Sequence, residues 1–285
     1  MEATTRGSWH PQLNDPHGER DGRYDDCRVH TTNKYSGKTM IIDKGLGRHA
    51  FEDLIETSGA YVDCVKLGFG TSPLYSDEML HFKIEMARKQ GILIMPGGTL
   101  LEAAVHQNVV GSFFDSICRF GFNAIEVSDG TIELSRSKRT DLIREGVNRG
   151  LTVFTEYGKK EFGSTIDPVE LEATAEADWE AGAELLTVEA RESGIGVGLF
   201  DEQGECKLDT FERIMARIPE QNRIMWEAPL KSQQVMLIRS IGPNVNLGNI
   251  HPADIITLEA MRRGLRNDTF PSAESFRKET ILYMI

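Results

Sequence analysis

The chain has 285 residues, four of them cysteine, and 32 lysines and arginines against 44 aspartates and glutamates give it a formal net charge of −12. That balance argues against a general nucleic-acid or anionic-membrane surface, no stretch approaches the roughly 18 apolar residues of a membrane span, and the N-terminus lacks the apolar core of a secretory signal. Cys27, Cys64, Cys118 and Cys206 show no CxxC spacing, so free thiols in a reducing cytoplasm are expected rather than a disulfide framework or a zinc site.

In chain order, residues 1–38 stand apart. HPQLNDPHGERDGRYDD has almost nothing to bury, and Pro11, Pro16 and Gly18 break any periodicity. The segment reads as a flexible or loosely docked extension, and the irregularly spaced His10, His17 and His30 as surface histidines. From Thr39 onward short apolar runs alternate with amphipathic stretches of helical length. The runs are TMIID (39–43), DCVKLG (63–68), GILIMPG (91–97), AIEVSDG (124–130), LTVFTEYG (151–158), LLTVEA (185–190), RIMWEA (223–228) and VNLGNI (245–250). Short Val-, Ile- and Leu-rich runs suit strands buried on both faces.

Between the runs, 48–58 puts Phe51, Leu54 and Ile55 on one helical face, and PGGTLLEA carries Thr99-x-x-Glu102, a capping-box spacing. A further helix is read over 108–120. The stretch 135–150 ends in a basic turn and Gly150, and 167–182 opens Asp-Pro, an N-cap followed by proline. Eight such units predict a (β/α)8 TIM barrel, a single domain over 39–285 with a short C-terminal tail.

A barrel keeps its chemistry at the carboxyl ends of its strands. EARESG (189–194) presents Glu189, Arg191 and Ser193 ahead of a glycine-rich stretch; arginine grips carboxylate or phosphate in a bidentate way, and glycines let backbone N–H groups approach an anion. TEYGKK (155–160) places Glu156, Lys159 and Lys160 just past the fifth run, where a lysine beside another cation has a lowered pKa. Lys44, Lys66, Gly97, Gly98, Asn246, Asn249 and Arg266 are further candidates for binding an anionic substrate. The basic stretch around Arg262 and Arg263 reads mostly as a solvated face. Strand-end carboxylates are frequent: Asp43, Glu126, Glu156, Glu189 and Glu227. Hard oxygen ligands of this kind suit Mg²⁺, with Glu156, Glu189 and Glu227 the metal candidates; pairing by Lys66, Lys160 and Arg191 is the alternative.

Together the strings DKGL (43–46), DCVKLGFGTS, PGGTLLE, EVSDG, TEYGKK, EARESG, WEAPLKSQQ (226–234), VNLGNI and LEAMRRGLRNDT (258–269) resemble the phosphosulfolactate synthase family, in family order over about 39–270. The resemblance implies a (β/α)8 barrel and Mg²⁺-dependent addition of sulfite to phosphoenolpyruvate, giving (2R)-phospho-3-sulfolactate on the way to coenzyme M or sulfolactate. It implies small anionic substrates, with no nucleic-acid or membrane partner, and a cytoplasmic homo-oligomer is expected. Lys160, the second lysine of GKK, falls on the proposed family acid/base. Leu67, Phe69, Trp226 and Tyr157 depart from the family strings and read as altered apolar lining near the site. Another sulfur nucleophile, a thiol or thiosulfate, is the alternative chemistry. A non-catalytic role is the second alternative, because plant heat-stress-associated proteins share the family.

Overall fold

The structure, a computed structural model, describes residues 9–16, 18, 20 and 35–271. His17, His30 and Cys27 lie outside the described residues. Eight parallel strands form the sheet: β1 (Thr39–Asp43), β2 (Cys64–Leu67), β3 (Leu93–Pro96), β4 (Ala124–Val127), β5 (Thr152–Tyr157), β6 (Leu185–Val188), β7 (Ile224–Glu227) and β8 (Asn246–Ile250). Their order, β3-β2-β1-β8-β7-β6-β5-β4, brings first and last strands together through the β1–β8 ladder. The remaining edge, between the adjacent β3 and β4, is joined by a side chain: Ile94 N–H donates to Asn123 Oδ1 (2.7 Å), and Asn123 Nδ2 donates to Ile92 O (3.3 Å). The result is the expected (β/α)8 barrel.

Period-two alternation divides each strand between two layers. Val65, Leu67, Ile125, Val127, Val153 and Trp226 face outward into the layer shared with the helices. Met40, Cys64, Met95, Ala124, Phe154, Leu185 and Met225 fill the interior as an apolar plug. The next inward positions, two residues further along, are Lys66, Glu126, Glu156 and Glu227, so the strand pattern itself sets a charged layer on top of an apolar one.

The helices end where local chemistry ends them. Helix Arg48–Ser58 buries Phe51, Leu54 and Ile55. Ser135 caps Arg136–Asn148, accepting from Lys138 N–H (3.2 Å). Asp167 caps Pro168–Ala181 through Val169 N–H (2.8 Å), and Gly182 closes that helix at φ 112°. The helix expected over 108–120 runs Val110–Phe120. Thr99 and Glu102 form no capping box: helix Gly98–His106 starts earlier, with Gly97 at its N-cap. Glu102 instead turns inward and accepts from the Ser128 hydroxyl at 2.6 Å.

Two basic side chains expected at the surface are buried at the amino end of the barrel. Arg262 is fully enclosed and donates to Pro243 O and Val245 O, both at 2.6 Å. Arg20, from the polar N-terminal segment, is 3 % exposed, with Nη2 3.1 Å from Glu259 Oε2, and it also donates to Asn244 Oδ1 (3.1 Å) and Gly37 O (3.2 Å). That segment is therefore tied to the barrel through Arg20, and again where Asn14 O accepts from Arg263 Nη1 (3.5 Å) and Ser36 Oγ donates to Asn244 O (3.2 Å); it supplies no barrel strand among the described residues. No described helix is long and apolar enough to cross a membrane. Cys64, Cys118 and Cys206 are unpaired thiols.

Candidate active site

The strands converge on Lys66. Its Nζ lies 3.1 Å from Glu126 Oε1, 3.0 Å from Glu227 Oε1 and 3.6 Å from Glu156 Oε2. Lys160, on the turn after β5, extends the cluster: its Nζ is 3.0 Å from Glu156 Oε1 and 3.6 Å from Glu189 Oε2. Backbone donors fix the remaining carboxylate oxygens. Gly98 N–H, in the first turn of its helix, donates to Glu126 Oε2 (2.9 Å), Ala190 N–H to Glu227 Oε2 (3.0 Å) and Arg191 N–H to Glu189 Oε1 (2.5 Å). A Cβ on Gly98 would stand 2.4 Å from Ser128 Oγ and 3.0 Å from Glu126 Oε2, so only glycine lets the helix start this close.

The electrostatics follow from burial. Burial works to lower the Lys66 pKa, but Glu126, Glu227 and Glu156 outweigh it and hold the ammonium well above its ordinary range. Lys160 behaves alike: burial opposes the charge, Glu156 and Glu189 more than offset it, and the pKa goes up. The lowering expected from a neighbouring lysine does not occur. Lys159 is exposed, and its Nζ donates to Asp129 O (2.8 Å) and Ile132 O (3.2 Å). Burial pushes the Glu126 carboxyl up to about 7 against the pull of Lys66. It also raises Glu189, helped by Glu156 and Glu227. For Glu156 burial is overcome by Lys160 and Lys66, and the carboxyl is held down at about 2.

With all four carboxyls ionised against the two ammoniums, the cluster would carry two excess negative charges, an excess that the raised pKa of Glu126 and of Glu189 reduces. One ligand oxygen from each of Glu156, Glu189 and Glu227 can be chosen with all three within 4.8 Å of one another, and all three side chains are buried. Glu156 Oε1 and Glu189 Oε2 are buried without a hydrogen-bond partner; the contact of the former with Lys160 is an ion pair lacking hydrogen-bond geometry.

Other candidates stand around the mouth. Lys44, Arg191 and Ser193 are exposed at the ends of β1 and β6. Arg191 has φ 60° and Asn249 φ 54°, left-handed values uncommon for residues with a Cβ. Asn249 is buried with Oδ1 lacking a hydrogen-bond partner. Phe69, at φ 59°, follows β2 and is 42 % exposed. Gly97 N–H donates to Leu67 O (2.7 Å), and a Cβ there would stand 2.4 Å from Phe69 O.

Several sequence candidates lie elsewhere. Asn246 is at the opposite, amino end of β8, where Oδ1 accepts from Lys38 N–H (2.8 Å) and Nδ2 donates to Asn222 O (2.7 Å). Arg266 pairs with Asp268 (3.2 Å), which also pairs with Lys231 (2.9 Å). The glycine-rich stretch after Ser193 is internally engaged: Gly196 N–H donates to Asp201 O (2.7 Å) and Gly198 N–H to Ser164 O (3.2 Å). Leu67, Trp226 and Tyr157 belong to the outer, helix-facing layer rather than the site lining, and the Tyr157 hydroxyl donates to Glu170 Oε2 (3.1 Å). Glu126 had no assigned role in the sequence; its place two residues after the inward Ala124 was the signal for it. Lys83, on helix Asp77–Lys89, is buried with Nζ 2.6 Å from Asp43 Oδ2, and nothing in its local sequence signals that contact.

Fold and cluster together define a (β/α)8-barrel enzyme. The family described as "(2R)-phospho-3-sulfolactate synthase (ComA)" matches residues 29–268. The phosphosulfolactate synthase of Methanothermobacter thermautotrophicus is 43 % identical over 236 residues, covering 82 % of this chain and 91 % of that one. The phosphosulfolactate synthase of Methanocaldococcus jannaschii is 39 % identical over 239 residues, covering 82 % and 94 %. In architecture alone, the chain is similar to a truncated 3-deoxy-D-arabino-heptulosonate 7-phosphate synthase from Thermotoga maritima, with a TM-score of 0.50 at 10 % identity over 80 % of this chain and 86 % of that one. The chain belongs to the phosphosulfolactate synthase family, enzymes that form a C–S bond.

Proposed function

We propose that this protein adds sulfite to phosphoenolpyruvate, with Mg²⁺, to give (2R)-phospho-3-sulfolactate. The observation that carries this reading is the buried Lys66–carboxylate–Lys160 cluster at the barrel mouth of a chain from this family. Both substrates are anions, and a cluster that carries excess negative charge when its carboxyls ionise would repel them. A divalent cation cancels that excess. The donor set fits one: three buried carboxylates lie within reach of one another, and two of their oxygens, Glu156 Oε1 and Glu189 Oε2, make no hydrogen bond and meet the Lys160 ammonium as an ion pair; such carboxylates are hard ligands of the kind Mg²⁺ takes. Glu156, Glu189 and Glu227 would hold it. When bound, Mg²⁺ supplies the positive charge that a developing enediolate requires.

The residues of the chain do the rest. The sulfur lone pair forms the C3–S bond, and the C2=C3 π pair moves through C2 into the carboxylate. Lys160, whose ammonium faces Glu156 and Glu189 at 3.0 and 3.6 Å, delivers its proton to C2 from one face, which fixes the configuration. Its side chain is 27 % exposed, so the resulting amine recovers a proton from water. Lys66, enclosed by carboxylates, stays charged and holds Glu126, Glu156 and Glu227 in place. Arg191 and Lys44 grip phosphate or carboxylate from the mouth, with Ser193, Gly97, Gly98 and Asn249 as its polar rim. The reading includes a reducing cytoplasm, in line with the unpaired thiols, and a homo-oligomeric assembly.

The test is turnover of the purified full chain with phosphoenolpyruvate, Mg²⁺ and a panel of sulfite, thiosulfate and a simple thiol, following product by ³¹P NMR and mass spectrometry. Sulfite-dependent phosphosulfolactate that stops on chelation supports the reading. Faster turnover with thiosulfate or the thiol replaces the nucleophile, and no turnover with any of them removes the enzymatic reading altogether.

A further inference from the structure

The loop after β4 carries none of the charged groups that clasp Lys66, yet it lies against both the backbone and the stem of Lys160. Lys160 N–H donates to Gly130 O at 3.2 Å. A Cβ built on Gly130 would stand 3.0 Å from Cε, 3.1 Å from Cγ and 3.2 Å from Cδ of Lys160, and these are its three nearest neighbours. Gly130 is buried and its φ lies outside the left-handed region. The backbone therefore does not require glycine here; the stem of Lys160 does.

The loop is fastened on three sides. Glu102 Oε1 accepts from Ser128 Oγ (2.6 Å) and from Thr131 N–H (3.3 Å). Arg139, 3 % exposed, grips Asp178, and its Nη1 donates to Asp129 Oδ1 (3.2 Å) while its Nη2 donates to Glu156 O (2.9 Å). Lys159 donates to Asp129 O and Ile132 O from the other loop. One arginine and one lysine thus lock the ends of β4 and β5 together, with the stem of Lys160 lying against Gly130.

We propose that the loop over residues 128–132 is a rigid bed that sets the direction of the Lys160 side chain, with Gly130 as the positioning residue and Glu102, Arg139 and Lys159 as its fastenings. Fixing the stem of a proton donor narrows the region its Nζ can reach; a misplacement of about 1 Å can cost about a hundredfold in rate, and a methyl group at position 130 would shift the stem by a fraction of that. A methyl group at position 130 has only a flexible side chain to displace, so the fold accommodates it and Lys160 moves. The inference rests on Lys160 as the proton donor of the proposed reaction.

The experiment compares Gly130→Ala, Gly130→Val, Lys160→Ala and the double variant Gly130→Ala/Lys160→Ala in the full chain, reading kcat, KM for phosphoenolpyruvate and thermal midpoint. Gly130→Ala should lower kcat at least about tenfold with KM unchanged within about twofold, the signature of a loss confined to the transition state. Gly130→Val should lower kcat further, and both midpoints should stay near that of the parent. In the Lys160→Ala background, Gly130→Ala should change nothing more, because the two residues act through one group. Parent-like kcat in Gly130→Ala beside an inactive Lys160→Ala overturns the bed while leaving the proton donor standing. An equal further loss in the Lys160→Ala background, or a collapse of the midpoint, overturns it too. Normal turnover by Lys160→Ala removes instead the reading on which it rests.

Discussion

Lys83 and Asp43 meet 2.6 Å apart, Nζ to Oδ2, with neither side chain exposed at all. One comes from helix Asp77–Lys89 and the other from the carboxyl end of β1. The other oxygen of Asp43 accepts from Gly45 N–H and Leu46 N–H, both at 2.8 Å. The pair therefore shapes the turn that carries Lys44. Removing one partner of a buried pair leaves an uncompensated charge, so Lys83→Met should destabilise the fold by about 3–5 kcal/mol. Adding Asp43→Asn should recover part of that loss, as denaturant titration of the single and double variants would measure. Equal stability of parent and Lys83→Met would mean that Asp43 finds other compensation.

Lys160→Ala should cut turnover by about two to four orders of magnitude, the usual worth of a general acid. Lys159→Ala should be milder, because the Lys159 ammonium is hydrogen-bonded to the carbonyls of Asp129 and Ile132 rather than paired with the site carboxylates. Steady-state kinetics with sulfite as nucleophile would separate them. An inactive Lys159→Ala beside an active Lys160→Ala would reverse the assignment.

Arg191 makes no side-chain ion pair among the described residues, although its backbone N–H is tied to Glu189. Its guanidinium is available to an anion. Arg191→Lys keeps the charge and loses the planar fork, so KM for phosphoenolpyruvate should rise clearly. An unchanged KM would place the phosphate and carboxylate elsewhere.

Stability should depend on pH through Glu259. Burial alone would raise this carboxyl, but Arg20, with Arg262 and Arg263, holds it below the usual range. A depressed folded pKa contributes stability above the unfolded value of about 4.3 and loses it as pH falls through the folded value. The gap in thermal midpoint between the parent and Glu259→Gln should therefore be widest above about pH 5 and narrow on acidification. Deleting residues 1–35 removes Arg20 and should lower the midpoint as well. A pH-independent gap, or an unaffected deletion variant, would show that Arg20 adds nothing to this end of the barrel.

The sequence was most informative where one short-range rule decides the outcome. Alternation in CVKL, AIEV and IMWE puts Lys66, Glu126 and Glu227 on the same face as Cys64, Ala124 and Met225, and Asp167-Pro168 and Gly182 mark their helix as capping chemistry dictates. It was least informative about which end of a strand faces the site. Asn246 and Asn249 are three residues apart, about 10 Å along a strand; one fastens the amino end and the other sits at the mouth. Pairings between distant elements leave no local trace. Lys83 looks like any helical lysine, and Glu102 sits at a capping-box spacing while its carboxylate serves the loop after β4. The direction of the Lys160 pKa turned on the same kind of information, since the adjacent lysine in sequence is not its electrostatic neighbour in space.

The single edge where the barrel is joined by the amide of Asn123 instead of a ladder has a use in protein engineering. The two helices that connect β3 to β4 meet in a short turn at residues 107–109, and every backbone ladder of the sheet joins strands within 1–107, within 108–285, or across β1 and β8. Severing the chain in that turn breaks no strand pairing. The two pieces, made separately, carry complementary β1 and β8 edges and are candidates for reassembly as a split enzyme, with Lys66 on one fragment and all four of its cluster's carboxylates on the other.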